Sequence, residues 1–319
     1  MPALIIEPIA RTHFDAVSLM QRHPPRFEHP YKRLLVEGIR APIEGRLDFS
    51  RWRGSLPDTL HFADVPVLEQ HEDVFGYPAE TPGRTSWHLN FADRHLFGFY
   101  GGGLLAQDEH QVMEHPVLGG VREALLARSL EDPEFAPLTR ETGPTPCLVR
   151  GAQRCLIFDT VRGPYGNAFA AATEDHIHKA TTYPEAPGLS NILAIAAPSG
   201  GHGAYSARQI EDILETASVG FAACRADSPL KETTIHTGNW GCGAFGGNTV
   251  MMVLLQVLAA WLAQVDRLVF HTVTPVSTRD YNIALGLLEN LTPEPVIGRQ
   301  ALVARIQSLH LQWGVSDGN

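Results

Sequence analysis

Apolar residues recur along much of this chain at spacings that distinguish helices from strands. Val250, Val253, Leu254, Val257, Leu258 and Trp261 repeat every three or four residues, which predicts a helix buried along one broad face. Ile210, Ile213, Leu214 and Ala217 do the same behind Ser206, whose partner Gln209 three residues on completes a capping-box pattern. Residues 191–197 form a continuous apolar run of buried-strand type, and shorter runs at 60–65, 86–91, 232–236 and 268–273 also predict strands. Residues 147–150 and 155–158 read as two strands around a turn at Gly151. Residues 109–128 read as helical, with Pro116 and the Gly119-Gly120 pair dividing them into two shorter helices, and 281–291 reads as the last clear helix. The first 58 residues carry scattered prolines and short amphipathic pieces without a strand pattern. Strands alternating with helices predict a three-layer α/β/α sandwich, its mixed sheet covered on both faces. The expected organisation is an N-terminal accessory extension over residues 1–58 packed on a main domain over 59–319.

Composition narrows this picture. With 319 residues, 44% hydrophobic and 19% charged, the chain fits one large globular α/β domain with an elaborated N-terminal region. A net charge of -10 argues against tight nucleic-acid binding, which draws on Lys and Arg neutralising phosphates. The exception is local: Arg26, Lys32, Arg33, Arg40, Arg46, Arg51 and Arg53 outnumber Glu28, Glu37, Glu44 and Asp48. This segment reads as a solvated surface with its aliphatic stems packed down, ahead of a contact surface for an acidic polymer. The four cysteines lack C-x-x-C or metal-finger spacing, no charged-then-apolar leader pattern is present, and the longest apolar run contains Gln256 and falls short of the ~20 residues of a membrane span. These features predict a cytoplasmic protein with reduced thiols, no membrane partner and a monomeric state. Of the fifteen histidines, His176 and His178 alternate as on a strand near Glu174 and Asp175, which reads as surface loop rather than zinc site.

The most informative stretch is Thr237-Gly238-Asn239-Trp240-Gly241-Cys242-Gly243-Ala244-Phe245-Gly246-Gly247, which sets five glycines between a predicted strand and the strongest predicted helix. Glycines let backbone N–H groups turn inward on an anion, and the following helix start favours negative charge, so the layout suits a pyrophosphate. It is neither a P-loop, lacking the Lys-Ser/Thr, nor a G-x-G-x-x-G loop. The run resembles the glycine-rich signature of the poly(ADP-ribose) glycohydrolases. A second segment resembles the same family: Asn90-Phe91-Ala92-Asp93, then Gly101-Gly102-Gly103, then Gln107-Asp108-Glu109. It departs from the family pattern in exchanging the end residues of the first element, in carrying Asp108 as the first acid, and in placing three residues between Gly103 and Gln107.

The resemblance extends roughly over residues 85–290. It implies a macrodomain fold and hydrolysis of an O-glycosidic ribose bond in poly- or mono-ADP-ribosylated substrates, without metal or redox cofactor. It assigns Glu109 as the catalytic acid and base, with Asp108 beside it to hydrogen-bond a ribose hydroxyl and raise its neighbour's pKa. It places Asn90, Asp93, Gly102, Gly103 and Gln107 at the substrate, gives Asn239 ribose or phosphate oxygens to hold, and makes Gly241, Gly243, Ala244 and Gly246 the cradle. Phe245 is either a wall of the ligand site or a core aromatic anchoring the loop, whereas Trp240 and Cys242 are assigned to packing. The adenine-covering tyrosine maps to Tyr165 in Gly163-Pro164-Tyr165-Gly166, with Phe158 the second choice. The family's further aromatic is absent from Val269-Phe270-His271-Thr272-Val273-Thr274, and His271 reads as a strand residue rather than a base. Residues 199–203 are a second loop near the ligand or only a strand-to-helix connection. Rival readings are a non-catalytic ADP-ribose reader and an enzyme acting on another ADP-ribose-like ligand.

Overall fold

A computed structural model describes residues 4–78, 81–291 and 294–318. The chain opens with β1 (Ile5–Asp15), α1 (Ala16–Arg22) and α2 (Pro30–Glu37), then β2 (Arg46–Ser55), which pairs antiparallel with β1. There follow β3 (Thr59–His61), β4 (Val67–His71), β5 (Arg84–Ala92), α3 (Gln107–Glu114), α4 (Pro116–Arg128), β6 (Cys147–Arg154) and β7 (Ile157–Phe158). After α5 (Glu174–Lys179) and β8 (Thr181–Thr182) come β9 (Gly188–Ala196), α6 (Ala207–Asp227), β10 (Glu232–Gly238), α7 (Thr249–Leu262) and β11 (Arg267–His271). The described chain closes with α8 (Pro275–Leu291), β12 (Val296–Gly298) and α9 (Arg299–Gln307).

Eight strands form one mixed sheet in the order β1-β2-β6-β9-β5-β10-β11-β4. From β9 to β4 the neighbours run parallel, while β6, β2 and β1 continue the sheet antiparallel. Side chains alternate between two cores. Trp87, Leu89, Leu148, Leu193 and Ile195 pack on the face covered by α6 and α7. Ala92, Cys147, Val149, Ile192 and Ala194 pack on the face covered by α3 and α4. The predicted sandwich is therefore present, and the parallel strands all deliver their C-terminal ends to one edge, where α/β sheets commonly bind ligands.

Several expectations are corrected. Residues 1–58 are not without strands: β1 and β2 extend the main sheet, their periodicity hidden because β1 is an exposed edge strand whose residues alternate little in burial. The predicted turn at Gly151 is a bulge within a continuous β6, with the register shifting between Val149 and Ala152. The helix break falls at His115–Pro116 alone; Gly119 stays helical, and its lack of a Cβ gives passage to Pro25, which a Cβ would approach at 2.7 Å. His176 and His178 lie on α5, a helix, at its solvent-facing side. The basic segment is not wholly solvated: Lys32 and Arg51 are buried, Arg51 donating to Leu138 O, Glu134 O and Thr145 Oγ1 and pairing with Glu141 at 3.0 Å. Among the described residues, no helix is long and apolar enough to cross a membrane.

Candidate functional site

The C-terminal ends of β5 and β10, the start of α3, the glycine-rich loop and the loop holding Tyr165 enclose a cleft of about 300 Å³. Its acids come from α3. The N-cap residue Ala106 has no side-chain acceptor, so only the return half of a capping box forms: Glu109 Oε2 accepts from Ala106 N at 3.1 Å. Asp108 accepts from Asn90 Nδ2 at 2.9 Å. Gln107 clasps α3 to β5, accepting from Phe91 N at 2.7 Å and donating to Leu89 O at 3.0 Å. Asp108 and Glu109 are 6% and 4% exposed, so desolvation disfavours their charge. Burial, then the neighbouring Glu109 carboxylate, pushes Asp108 up to about 8. Burial raises Glu109 as well, opposed by backbone hydrogen bonding and by Lys32. The pair is thus built to keep a proton near neutral pH.

The glycine-rich loop supplies the opposite wall. Cys242 N, Gly246 N and Gly247 N are bonded to Asn239 O, Gly243 O and Gly241 O, which closes the loop on itself. Among the described residues, nothing accepts from the N–H groups of Gly241, Gly243, Ala244 or Phe245, and all four residues line the cleft. This is a ready anion nest. Gly241 adopts φ +74°, and a Cβ there would meet Ala197 at 2.7 Å, so only glycine fits. Ser277 Oγ donates to Asn239 Oδ1 at 2.6 Å, turning the Asn239 amide nitrogen away from that contact. Trp240, buried and donating to Ile195 O at 3.0 Å, anchors the loop as expected of a packing residue, and Cys242 packs against the same core.

Leu105 and Gly166 exchange backbone hydrogen bonds of 3.2 and 2.9 Å, which docks the loop of Tyr165 beside the acids. Tyr165 is 42% exposed and faces the cleft, whereas Phe158, the second choice for adenine, is buried against His110 and Phe169. Asp93 lines the cleft while holding His95 N at 3.0 Å.

Four of the expected residues stand outside the cleft lining. Asn90 is wholly buried and reaches Asp108, not the cleft. Gly102 and Gly103 lie outside the cleft lining. The close approach in that loop is at Gly101, where a Cβ would stand 2.3 Å from Arg26 O and where Glu28 N and His29 N both bond the Gly101 carbonyl at 2.9 Å. Gly246, at φ +70°, is buried behind the cradle, and a Cβ would meet Ser316 N at 3.1 Å rather than a ligand. Residues 199–203 only connect β9 to α6 and receive Trp313, which donates from its backbone to Gly203 O at 2.8 Å. His271 points elsewhere, bonding Asp73 Oδ1 at 2.9 Å and His236 at 3.2 Å.

Sequence reasoning missed Phe99, Phe91 and Asp317 in the cleft lining. Phe99 is 57% exposed beside the triple glycine, and an exposed aromatic flanking a glycine loop was the available signal. Asp317 arrives from a distant segment: Trp313 stacks on Tyr205 with ring centroids 4.4 Å apart, and Gly318 O accepts from Asn167 Nδ2 at 2.7 Å, so residues 313–318 cross over the glycine loop. No local pattern announces that.

Residues 146–280 match the family described as poly(ADP-ribose) glycohydrolase (PARG), macro domain fold. Among solved structures, the chain is similar to poly(ADP-ribose) glycohydrolase from Thermomonospora curvata, with 15% identity over 93% of this chain and 85% of that one and a TM-score of 0.43. The enzyme of that name from Deinococcus radiodurans, solved in complex with ADP-ribose, has 13% identity over 88% and 95% of the two chains with a TM-score of 0.44. A macrodomain from Oceanobacillus iheyensis has 11% identity over 73% and 97%, with a TM-score of 0.40. The family match begins at β6, ends inside α8 and contains the whole glycine-rich loop, and the Gln107-Asp108-Glu109 motif faces that loop across the cleft: over residues 146–280 the chain is similar to the poly(ADP-ribose) glycohydrolase family, on an α/β fold of macrodomain type.

Proposed function

We propose that the protein is an ADP-ribose glycohydrolase in which Glu109 is the general acid and base. The observation that carries this reading is the placement of a backbone-held, proton-retaining carboxylate in the same cleft as four unpartnered backbone N–H groups. The N–H groups of Gly241, Gly243, Ala244 and Phe245 take the pyrophosphate oxygens, Tyr165 and Phe99 offer faces to the adenine, and the Asn239 amide and Asp93 border the ribose. Glu109 then gives its proton to the departing glycosidic oxygen as the C1–O bond breaks with oxocarbenium character, and the resulting carboxylate takes a proton from the water that attacks C1. Asp108, held by Asn90, is itself raised to about 8 by burial and by Glu109, so the two carboxyls keep a proton between them. The chemistry is acid–base throughout.

The test is incubation with poly(ADP-ribose) and with peptides mono-ADP-ribosylated on Glu, Ser or Arg, scoring free ADP-ribose. Release from at least one of these is expected. Binding of ADP-ribose without release from any of them would make the protein a reader, and absence of both would overturn the assignment.

A further inference from the structure

A buried side chain of the N-terminal region reaches the backbone next to the acid pair. Lys32, on α2, is fully buried, and its ammonium donates to Tyr100 O at 2.8 Å and to Leu104 O at 2.5 Å, bridging the two ends of the Gly101–Gly103 loop. Among the described residues, it forms no salt bridge. A buried ammonium satisfied only by carbonyls is costly unless negative charge lies near, and the carboxylates that act on it are Glu109 and Asp108. The covalent path is also short: Leu104 is two residues from Ala106, whose N–H holds the Glu109 carboxylate. Lys32 therefore grips the backbone that positions Glu109 and places a positive charge behind it.

We infer that Lys32 is a positioning residue for Glu109, fixing the Leu104–Ala106 backbone that holds its carboxylate and setting how tightly the Asp108–Glu109 pair holds its proton. This rests on the acid role proposed above for Glu109. The surroundings are consistent with it. Asp93 and Asp108 face Glu109 with like charge, and Tyr165 senses Glu109 from the cleft side. Arg26, Glu123 and Arg122 gather around Tyr100, and His29 on the approach to α2 feels Lys32 itself. Lys32 thus opposes Glu109 and Asp108, while Arg122 is a second cation on which Asp108 and Asp93 act. Burial draws it down to about 8, with Glu109 and then Asp108 holding it up.

The experiment reads protonation directly. In protein labelled with carboxyl-¹³C glutamate, the Glu109 resonance is assigned by its loss in Glu109→Gln and titrated in wild type, Lys32→Met and Lys32→Arg. Removing an opposite charge at this range should raise the Glu109 midpoint by about one unit, equivalent to about tenfold tighter proton binding, and Lys32→Arg should restore most of the difference. A folded Lys32→Met protein that titrates like wild type overturns the inference. Should Lys32→Met fail to fold, the reciprocal measurement decides: the ¹⁵Nζ resonance of Lys32 is titrated in wild type and in Glu109→Gln. Linkage requires Lys32 to lose its proton at lower pH in Glu109→Gln, and an unchanged midpoint overturns the inference equally. Neither titration uses ADP-ribose or turnover, so an inactive protein could still show the linkage and an active hydrolase could lack it.

Discussion

Asp108 and Glu109 carry opposite signals at the residue scale. As acids in the first turn of a helix they are where the macrodipole favours negative charge, yet both are buried, and desolvation wins for each. The sign of the pH dependence follows. A raised carboxyl keeps its proton from the ordinary carboxylate range up to its shifted value, so the general acid is present below that value and lost above it. Turnover should therefore fall as pH rises through the raised range of the Glu109 carboxyl, and a pH–rate profile of kcat checks this. A profile flat through pH 9 would contradict the proton-sharing pair. Asp317 supplies a second residue-scale prediction. Its carboxylate lies against Gly243, with Oδ2 3.2 Å from where a Cβ would stand, on the wall assigned to pyrophosphate. Asp317→Asn should tighten ADP-ribose binding a few-fold at low salt, about the 0.2–1 kcal/mol of an exposed charge pair, and by less at high salt. Calorimetric titration at two ionic strengths measures it.

Elements were legible from sequence where burial was one-sided or complete. The strand at β9 and the helix α7 are apolar almost throughout, so periodicity located both within two or three residues. β4 and α9 were missed because β4 is partly exposed along its length and α9 buries only Leu302, Val303 and Ile306. The site was legible to the extent that it is local: the glycine loop and the 107–109 motif each lie in one stretch. What joins them was not, because Asn90–Asp108, Lys32–Leu104 and Gly101–Arg26 are contacts between segments distant in sequence or facing, settled only by packing. One element carries its own test. Glu114, wholly buried at the end of α3, is held bidentately by Arg154 at 2.7 and 3.0 Å and accepts from Phe158 N at 2.7 Å. Although burial acts the other way, His110 and Arg154 hold its carboxyl down to about 2. A depressed carboxyl stabilises the fold above its unfolded value and loses that contribution as pH falls towards the folded one, here from about 4.5 towards about 2. Arg154→Met leaves that charge buried with His110 and the Phe158 N–H beside it and should cost about 3–5 kcal/mol, read by urea unfolding at pH 7.

Across the whole molecule, the sheet runs from the first described residues to β11 without a seam. β2 pairs with β6 while α2 delivers Lys32 to the Leu104 carbonyl near the acids, so the N-terminal region is joined to the site by both backbone and side chain. A chain lacking residues 1–58 should lose cooperative thermal unfolding and aggregate, since the β6 edge and the core around Leu47 and Phe49 would be laid open; circular dichroism shows which. Cooperative unfolding like that of the full chain would mean the region is dispensable packing. The central claim is narrower: one carboxylate at the start of α3 cleaves a ribose bond whose pyrophosphate rests on the glycine loop. Its most direct measurement is single-turnover release of ADP-ribose by Glu109→Gln, paired with calorimetric titration of ADP-ribose. The account predicts a loss of about 10²–10⁴-fold in rate with affinity nearly unchanged, and full turnover in Glu109→Gln would contradict it.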